Sequence, residues 1–362
     1  MVLVGWVPRA LVRALVGLLA GLLVALVVVG LPAGVAPAAG GTGQAQPVGG
    51  QRGFADPAVV RHAGGYVAVS TGPYAPRATA PSATGPWTPA RPALTRLPGW
   101  ASSPRIWAAD VVRAGGRWLL YYSAPVRGLG PEGRCIGVAR ARDLLGEFRP
   151  VGRRPLVCPA RARAPRAQDP VRKVRRVHAR RGVIDPSGFR DRDGRRYLLY
   201  KTQTAPSTIR MVQLTVGGGR VMRGQRSHEL VRRRGVTENP ELVRRGRHLV
   251  LFTSEGYFGD CGYRTTYRRT TRLWRWEHSR RAPLLRRSQQ GVCGPGGLDV
   301  LERRGARNLV YFHGWTCWRT DRACPPRHDL ERRPGLVPQR SLFAGHLRWR
   351  QGRPVVALLR RQ

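Results

Sequence analysis

Three carboxylates of this chain share one local setting, a short apolar approach with a proline close behind: Phe54-Ala55-Asp56-Pro57, Val183-Ile184-Asp185-Pro186 and Val236-Thr237-Glu238-Asn239-Pro240. They come from a scarce pool, since Asp and Glu number 20 against 64 Lys and Arg. Carboxyl groups that share a site repel one another, so a persistent cluster either binds a cation or divides acid and base roles among its members. A plainer, structural role competes with this. Proline biases the preceding residue toward extended backbone and can open a strand, where a carboxylate bonds to neighbouring backbone. Asp110 and Asp299, which also open apolar runs, are examples of that plainer role. The acid–base reading requires residues far apart in the chain to meet.

A repeated element can bring them together. Five stretches begin with an acidic or amide residue, continue through an apolar run and a Gly-containing turn, and end in a second apolar run. Their anchors are Asp56, Asp110, Asp185, Asn239 and Asp299, at steps of 54, 75, 54 and 60 residues. Turns such as Ala63-Gly64-Gly65, Ala114-Gly115-Gly116 and Asp191-Arg192-Asp193-Gly194 join the two runs as hairpins. A hairpin recurring every fifty-odd residues, with room for two more strands, is the mark of a β-propeller blade. The fold class is therefore all-β, a five-bladed β-propeller over residues 51–362, whose innermost strands face one central channel. Outer strands are expected at Cys135–Ala139 and Gly262–Tyr267. A strand pair around Gln351-Gly352 is expected to complete the last blade or close the ring with N-terminal residues. A β-sandwich is the competing fold, but its strands would not recur with such regular anchors.

Residues 1–38 read as a signal peptide: Arg9 and Arg13, an apolar run from Ala14 to Leu31, and the small residues Ala36-Pro37-Ala38 at cleavage spacing. An uncleaved anchor is the alternative, because the run is just long enough to span a bilayer. Residues 39–50 read as flexible linker. Either way the rest is secreted or displayed on the outer face of the membrane. Six cysteines suit an oxidising compartment, and none forms a Cys-x-x-Cys pair of the kind zinc sites use. Sequential pairing is favoured: Cys135 with Cys158, Cys261 with Cys293, Cys317 with Cys324. The formal charge of +44 invites a nucleic-acid partner. Against it, the basic residues are nearly all arginine and spread over every turn, and exported proteins rarely meet nucleic acid. The densest stretch, Arg161 to Arg181, reads as a solvated loop insertion, or as a contact for an anionic cell surface.

The motifs Ala55-Asp56-Pro57, Trp107-Ala108-Ala109-Asp110-Val111, Ile184-Asp185-Pro186-Ser187, Glu238-Asn239-Pro240 and Gly294-Pro295-Gly296-Gly297…Tyr311-Phe312-His313 occur in an order that resembles family-43 glycoside hydrolases. That family comprises five-bladed propellers, including arabinanases, α-L-arabinofuranosidases and β-xylosidases. The resemblance spans residues 54–356. It implies Asp56 as general base, Glu238 as general acid and Asp185 as the carboxylate that tunes and orients the acid. It further implies that His313 lies near the channel axis and helps hold a calcium ion or its waters, although the chemistry requires no cofactor. Trp107 is the nearest candidate for a sugar-stacking surface, or else a blade-packing residue. The implied partner is a polysaccharide or oligosaccharide, acted on by a monomer with inversion. A catalytically silent carbohydrate-binding propeller is the alternative function. The chain departs from the family pattern at Ala109, where proline is usual, and at Asn239, where a small residue usually follows the acid. The arginine-crowded stretch Tyr267–Arg281 is a further departure, and Glu255 is a competing acid in the fourth repeat.

Overall fold

The computed structural model describes residues 45–49, 53–159, 181–287, 291–303, 307–318, 324 and 337–359. The expected signal peptide and most of the arginine-rich insertion lie outside them.

The strands form five sheets in sequence order. The first blade holds β1 (Ala58–His62) and β2 (Gly65–Val69); the two-residue β3 (Gly72–Pro73) then crosses to the second blade, and β4 (Arg77–Ala80) and β5 (Thr88–Ala90) complete the first. The second adds β6 (Arg105–Ala114), β7 (Arg117–Pro125), β8 (Arg134–Ala141) and β9 (Arg149–Pro150). The third is β10 (Val183–Arg190), β11 (Arg196–Thr202), β12 (Ser207–Leu214) and β13 (His228–Arg233). The fourth is β14 (Thr237–Arg245), β15 (His248–Glu255), β16 (Arg264–Thr270) and β17 (Ala282–Leu285). The fifth is β18 (Cys293–Leu301), β19 (Leu309–Trp318), β20 (Val337–Arg350) and β21 (Arg353–Leu358). Within each blade, consecutive strands pair antiparallel. The fourth blade's outer strand follows the arginine-rich stretch, so that departure lengthens a loop without removing a strand.

Second strands carry unbroken apolar runs because each is covered on both faces by a neighbouring blade. Along β7, Leu120 and Tyr122 join the core shared with the first blade, while Leu119 and Tyr121 join the core shared with the third. Along β15, Leu249 and Leu251 face the third blade and Val250 and Phe252 the fifth. The strand period of two thus builds one apolar seam between each pair of blades. The seam between the fifth and first blades holds Leu309, Tyr311, Val59 and Ala68, and it also takes in Val48 from the segment expected as linker. The Val48 and Gly49 amides donate to Leu342 O, and the Phe54 amide to Arg340 O, so both expected fates of the last strand pair are realised. The disulfides are Cys135–Cys158, Cys261–Cys293 and Cys317–Cys324, as proximity in sequence suggested. The last two pack with Trp315 and the partly buried Phe258.

Each innermost strand begins with an irregular step. Register shifts occur between Trp107 and Asp110, Ile184 and Ser187, Glu238 and Glu241, and Gly296 and Asp299. At each step one residue has a left-handed backbone: Ala108 (φ 41°), Asp185 (φ 55°), Asn239 (φ 45°) and Gly297 (φ 60°), with Asp56 (φ 49°) the equivalent in the first blade. This corrects two expectations. The residues before Pro57, Pro186 and Pro240 are left-handed rather than extended, a conformation that Asp and Asn tolerate better than other side chains do. Asp110 and Asp299 are also not equivalent to Asp56; each lies two residues beyond the matching position in its own blade.

Candidate active site

Three consecutive residues from every blade surround the axis: Asp56 to Ala58, Ala108 to Asp110, Asp185 to Ser187, Asn239 to Glu241 and Gly297 to Asp299. The left-handed residues form one tier of this ring and Ala58, Asp110, Ser187, Glu241 and Asp299 the other, around a void of about 40 Å³. On the side of the left-handed tier a pocket of about 270 Å³ opens, lined by Asp56, Thr71, Trp107, Ile184, Asp185, Glu238, Asn239, Phe258 and Arg340. The three carboxylates with shared sequence settings, and Trp107, therefore meet in one cavity.

Hydrogen bonds between blades hold the tier in place. The amide of Ala108 donates to Thr71 Oγ1 at 2.9 Å, that of Asp185 to Ser123 Oγ at 3.1 Å, that of Gly297 to Ser254 Oγ at 2.8 Å and that of Asp56 to His313 Nδ1 at 3.1 Å. Each acceptor comes from the second strand of the preceding blade or, for Thr71, from two residues beyond it. In the third blade the corresponding residue is Lys201, paired in register with Ile184. An ammonium cannot accept. The Asn239 amide donates instead to Asp185 Oδ2 at 3.0 Å, and Lys201 turns to Glu238. Gly297 is required here, because a Cβ would lie 2.7 Å from His313 Nδ1 and 3.1 Å from Asp56 Cα.

Asp56 is surrounded by donors. Its Oδ2 accepts from Thr71 Oγ1 at 2.8 Å and from Arg340 Nη1 at 3.3 Å, and its Oδ1 from Asn239 Nδ2 at 3.2 Å. Burial alone would raise its carboxyl, but the Arg340 guanidinium and the neutral donors outweigh burial and hold it below the ordinary carboxylate range. His313, next after Arg340, lowers Asp56 electrostatically when it is protonated, but burial drives it to about 3, so near neutral pH its ring is uncharged.

Asp185 and Glu238 sit in a different environment. Burial first, and the charge of Glu238 second, push Asp185 up to about 7 against the pull of Lys201. Lys201 Nζ lies 2.5 Å from Glu238 Oε2, and the Tyr263 hydroxyl donates to Glu238 Oε1 at 2.7 Å. Burial lowers Lys201, yet the charges of Glu238 and Asp185 outweigh it and keep the amine above the ordinary lysine range. Asp185 thus keeps a proton up to about pH 7, whereas Asp56 is ionised well below that. Between the two environments stand the Tyr263 hydroxyl, 2.8 Å from Asn239 Oδ1, and the Asn239 amide itself. The site offers an ionised carboxylate on one side and, beside Glu238, the proton-bearing carboxyl of Asp185 on the other.

Other expected residues are placed as follows. Trp107 lines the pocket with one face covered by the Arg134 guanidinium, 3.2 Å from the ring centroid, which leaves the opposite face for a ligand. Asp110 and Asp299 have the structural role expected, accepting from the Gly188 amide at 2.7 Å and the Val59 amide at 2.8 Å. Glu255 is absent from the pocket lining and is bound instead to Arg233, Arg264 and Arg281. His313 does not fit as a direct calcium ligand: its Nδ1 accepts the Asp56 amide, so the ring proton is on Nε2, which is buried without a partner. Among the described residues no three His, Cys, Asp or Glu side chains are grouped to hold a metal ion.

Sequence reasoning missed Thr71, Lys201, Tyr263, Phe258 and Arg340. Only Lys201 carried a signal, as one of two lysines in a chain whose other basic residues are arginine.

The profile of glycosyl hydrolases family 43 matches residues 45–354. None of the curated proteins compared with the chain matches it. Among solved structures, a thermostable family-43 glycoside hydrolase superposes with a TM-score of 0.67 at 18% identity, covering 88% of this chain and 97% of that one. An exo-1,5-α-L-arabinanase from a bovine ruminal metagenomic library gives 0.63 at 19% identity, covering 84% and 97%. The Cellvibrio cellulosa α-L-arabinanase complexed with arabinohexaose gives 0.63 at 18% identity, covering 85% and 96%. At these identities the superpositions speak for the five-bladed fold alone, whereas the profile match covers nearly all of the described chain and places it in glycosyl hydrolase family 43, the glycosidases that cleave O-glycosyl bonds.

Proposed function

We propose that the protein is an exported, inverting glycoside hydrolase acting on arabinose- or xylose-containing glycans. In this reading Asp56 takes a proton from the attacking water, Glu238 delivers one to the departing glycosidic oxygen, and Asp185 keeps that proton available. The observation that supports it best is the asymmetry of the pocket. The carboxylate needed as a base is held ionised by Arg340, and Asp185, next to the proposed acid, keeps a proton up to about 7. Inversion calls for two carboxyls about 6.5–9.5 Å apart with a water between. The interposed Tyr263 hydroxyl and Asn239 amide are consistent with such a gap. The free face of Trp107 is a platform for a sugar ring, since aromatic faces match the apolar faces of sugars. The sugar class is suggested by the arabinanases among the neighbours, one of them complexed with arabinohexaose. Three disulfides favour an oxidising compartment, hence export. The protein is taken to act as a monomer, and its arginine-rich surface as a contact for anionic cell-surface polymer.

The test is a panel of arabinan, xylo-oligosaccharides and aryl glycosides given to the parent protein and to Asp56→Asn. Cleavage of at least one pentose glycan, lost in the variant, is the expected outcome. A parent protein that binds these glycans and cleaves none would leave a silent carbohydrate-binding propeller.

A further inference from the structure

Beside the catalytic pocket lies a second cavity, of about 410 Å³, lined by Tyr263, Arg264, Arg281, Arg286 and Arg287, with no acidic side chain among its described lining residues. Next to it is Glu255, whose side chain is 2% exposed and whose Oε2 faces three guanidiniums: Arg281 Nη1 at 2.5 Å, Arg233 Nη1 at 3.4 Å and Arg264 Nη2 at 3.8 Å. One carboxylate cannot neutralise three guanidiniums. Arg287 adds further positive charge at the same cavity. The Nε of Arg233 is buried with no hydrogen-bond partner, so the cluster is short of acceptors as well as of negative charge. Arg244, by contrast, is matched one to one by Asp191 through two bonds of 2.6 and 2.9 Å.

Position ties this cavity to the reaction. Tyr263 lines it, and the Tyr263 hydroxyl donates to Glu238. Glu255 pairs in register with Thr237, the residue before Glu238. A group bound here would sit one tyrosine side chain away from the proposed acid. Guanidinium forks bind carboxylate and phosphate oxygens through paired, charge-assisted hydrogen bonds.

We propose that this cavity binds an oxyanion borne by the glycan, a uronate carboxylate or a phosphate ester, so that the preferred substrate is an acidic glycan. The inference rests on the glycan-hydrolysing reading above and narrows its substrate class. Glu255 then acts as a placeholder that keeps the guanidiniums together and weakens their hold on the incoming anion.

Binding can be measured separately from turnover, by calorimetry on the full chain carrying Asp56→Asn at about 0.15 M salt, where long-range surface attraction is screened. One arm compares a glucuronate-bearing xylo-oligosaccharide with its methyl ester; the other compares arabinose 5-phosphate with arabinose. At least one acidic ligand is expected to bind tenfold or more tighter than its neutral counterpart, and which arm responds identifies the source of the oxyanion. Arg264→Gln with Arg287→Gln should remove that preference, Glu255→Gln should increase it, and Arg153→Gln with Arg154→Gln, two exposed arginines elsewhere, should leave it unchanged. Equal binding of acid and neutral partner in both arms would overturn the proposal. So would a loss as large from the Arg153 and Arg154 changes as from the cavity changes. Failure of the glycosidase reading would show itself separately, as absence of cleavage by the parent protein.

Discussion

Glu238 lies between an ammonium and a phenol, and its charge helps push the neighbouring Asp185 up. Replacing it with Gln should cost about 10²- to 10⁴-fold on natural glycans and much less on aryl glycosides, whose leaving groups need little protonation. Asp56→Asn should impair both, because every substrate needs the activated water; steady-state rates on paired substrates check this. The two neighbours of Glu238 give different predictions for pH. Lys201→Met removes the cation whose pull lowers Asp185, so an alkaline limb of kcat/KM set by Asp185 should move above about 7. Asp185→Asn removes the titrating group itself and should abolish that limb. pH–rate profiles in which both variants kept the parental limb would refute the role given to Asp185. The triad was legible because each member carries its own local mark, a proline one or two residues on. Lys201, Tyr263 and Arg340 were not, since they reach the pocket from other strands of their blades, and an arginine among 64 basic residues has no mark at all.

At the scale of the strand, the irregular step at the start of each inner strand does the positioning. It turns one residue per blade to a left-handed backbone and leaves its amide to be satisfied by the preceding blade. Ser254→Ala would strand the Gly297 amide in a buried seam and should lower stability by about 1–3 kcal/mol in urea unfolding. Thr71→Val should do the same and lower activity as well, because Thr71 also donates to Asp56. The recurring hairpins were readable from alternation of turn and apolar run. Their register was not: Asp110 and Asp299 look like Asp56 in sequence, yet the bulge sets them two residues further along. A proline that ordinarily signals extended backbone here follows a left-handed residue, and only the inter-blade bonds reveal why.

At the scale of the whole molecule, five seams close one ring, and the tier of Asp110, Glu241 and Asp299 on its axis makes stability depend on pH. Burial raises Asp110 to about 6; burial and the charge of Asp110 raise Asp299 to about 8; Glu241 is raised well above its ordinary range by burial, then by Asp299 and Asp110. Groups raised on folding bind protons more tightly in the folded state. Their contribution is therefore full below the unfolded carboxylate range and is lost as pH climbs through about 6 to 8. Stability to urea should fall by on the order of 1–3 kcal/mol between pH 6 and pH 9. A stability that rose over that interval would contradict the burial of this tier. The five-fold plan was legible as a whole because a propeller repeats its pattern in the chain, whereas the closure of the ring joins residues as distant as Asp56 and Arg340. In the proposed chemistry, Asp56 and Glu238, which both line the axial pocket, hydrolyse a glycosidic bond through a single displacement by water. Proton NMR of the first product formed from a pentose glycan tests it most directly. A sugar of inverted anomeric configuration, formed by the parent protein and absent with Asp56→Asn, is the expected product; a first product of retained configuration, or undiminished formation by Asp56→Asn, would overturn the mechanism.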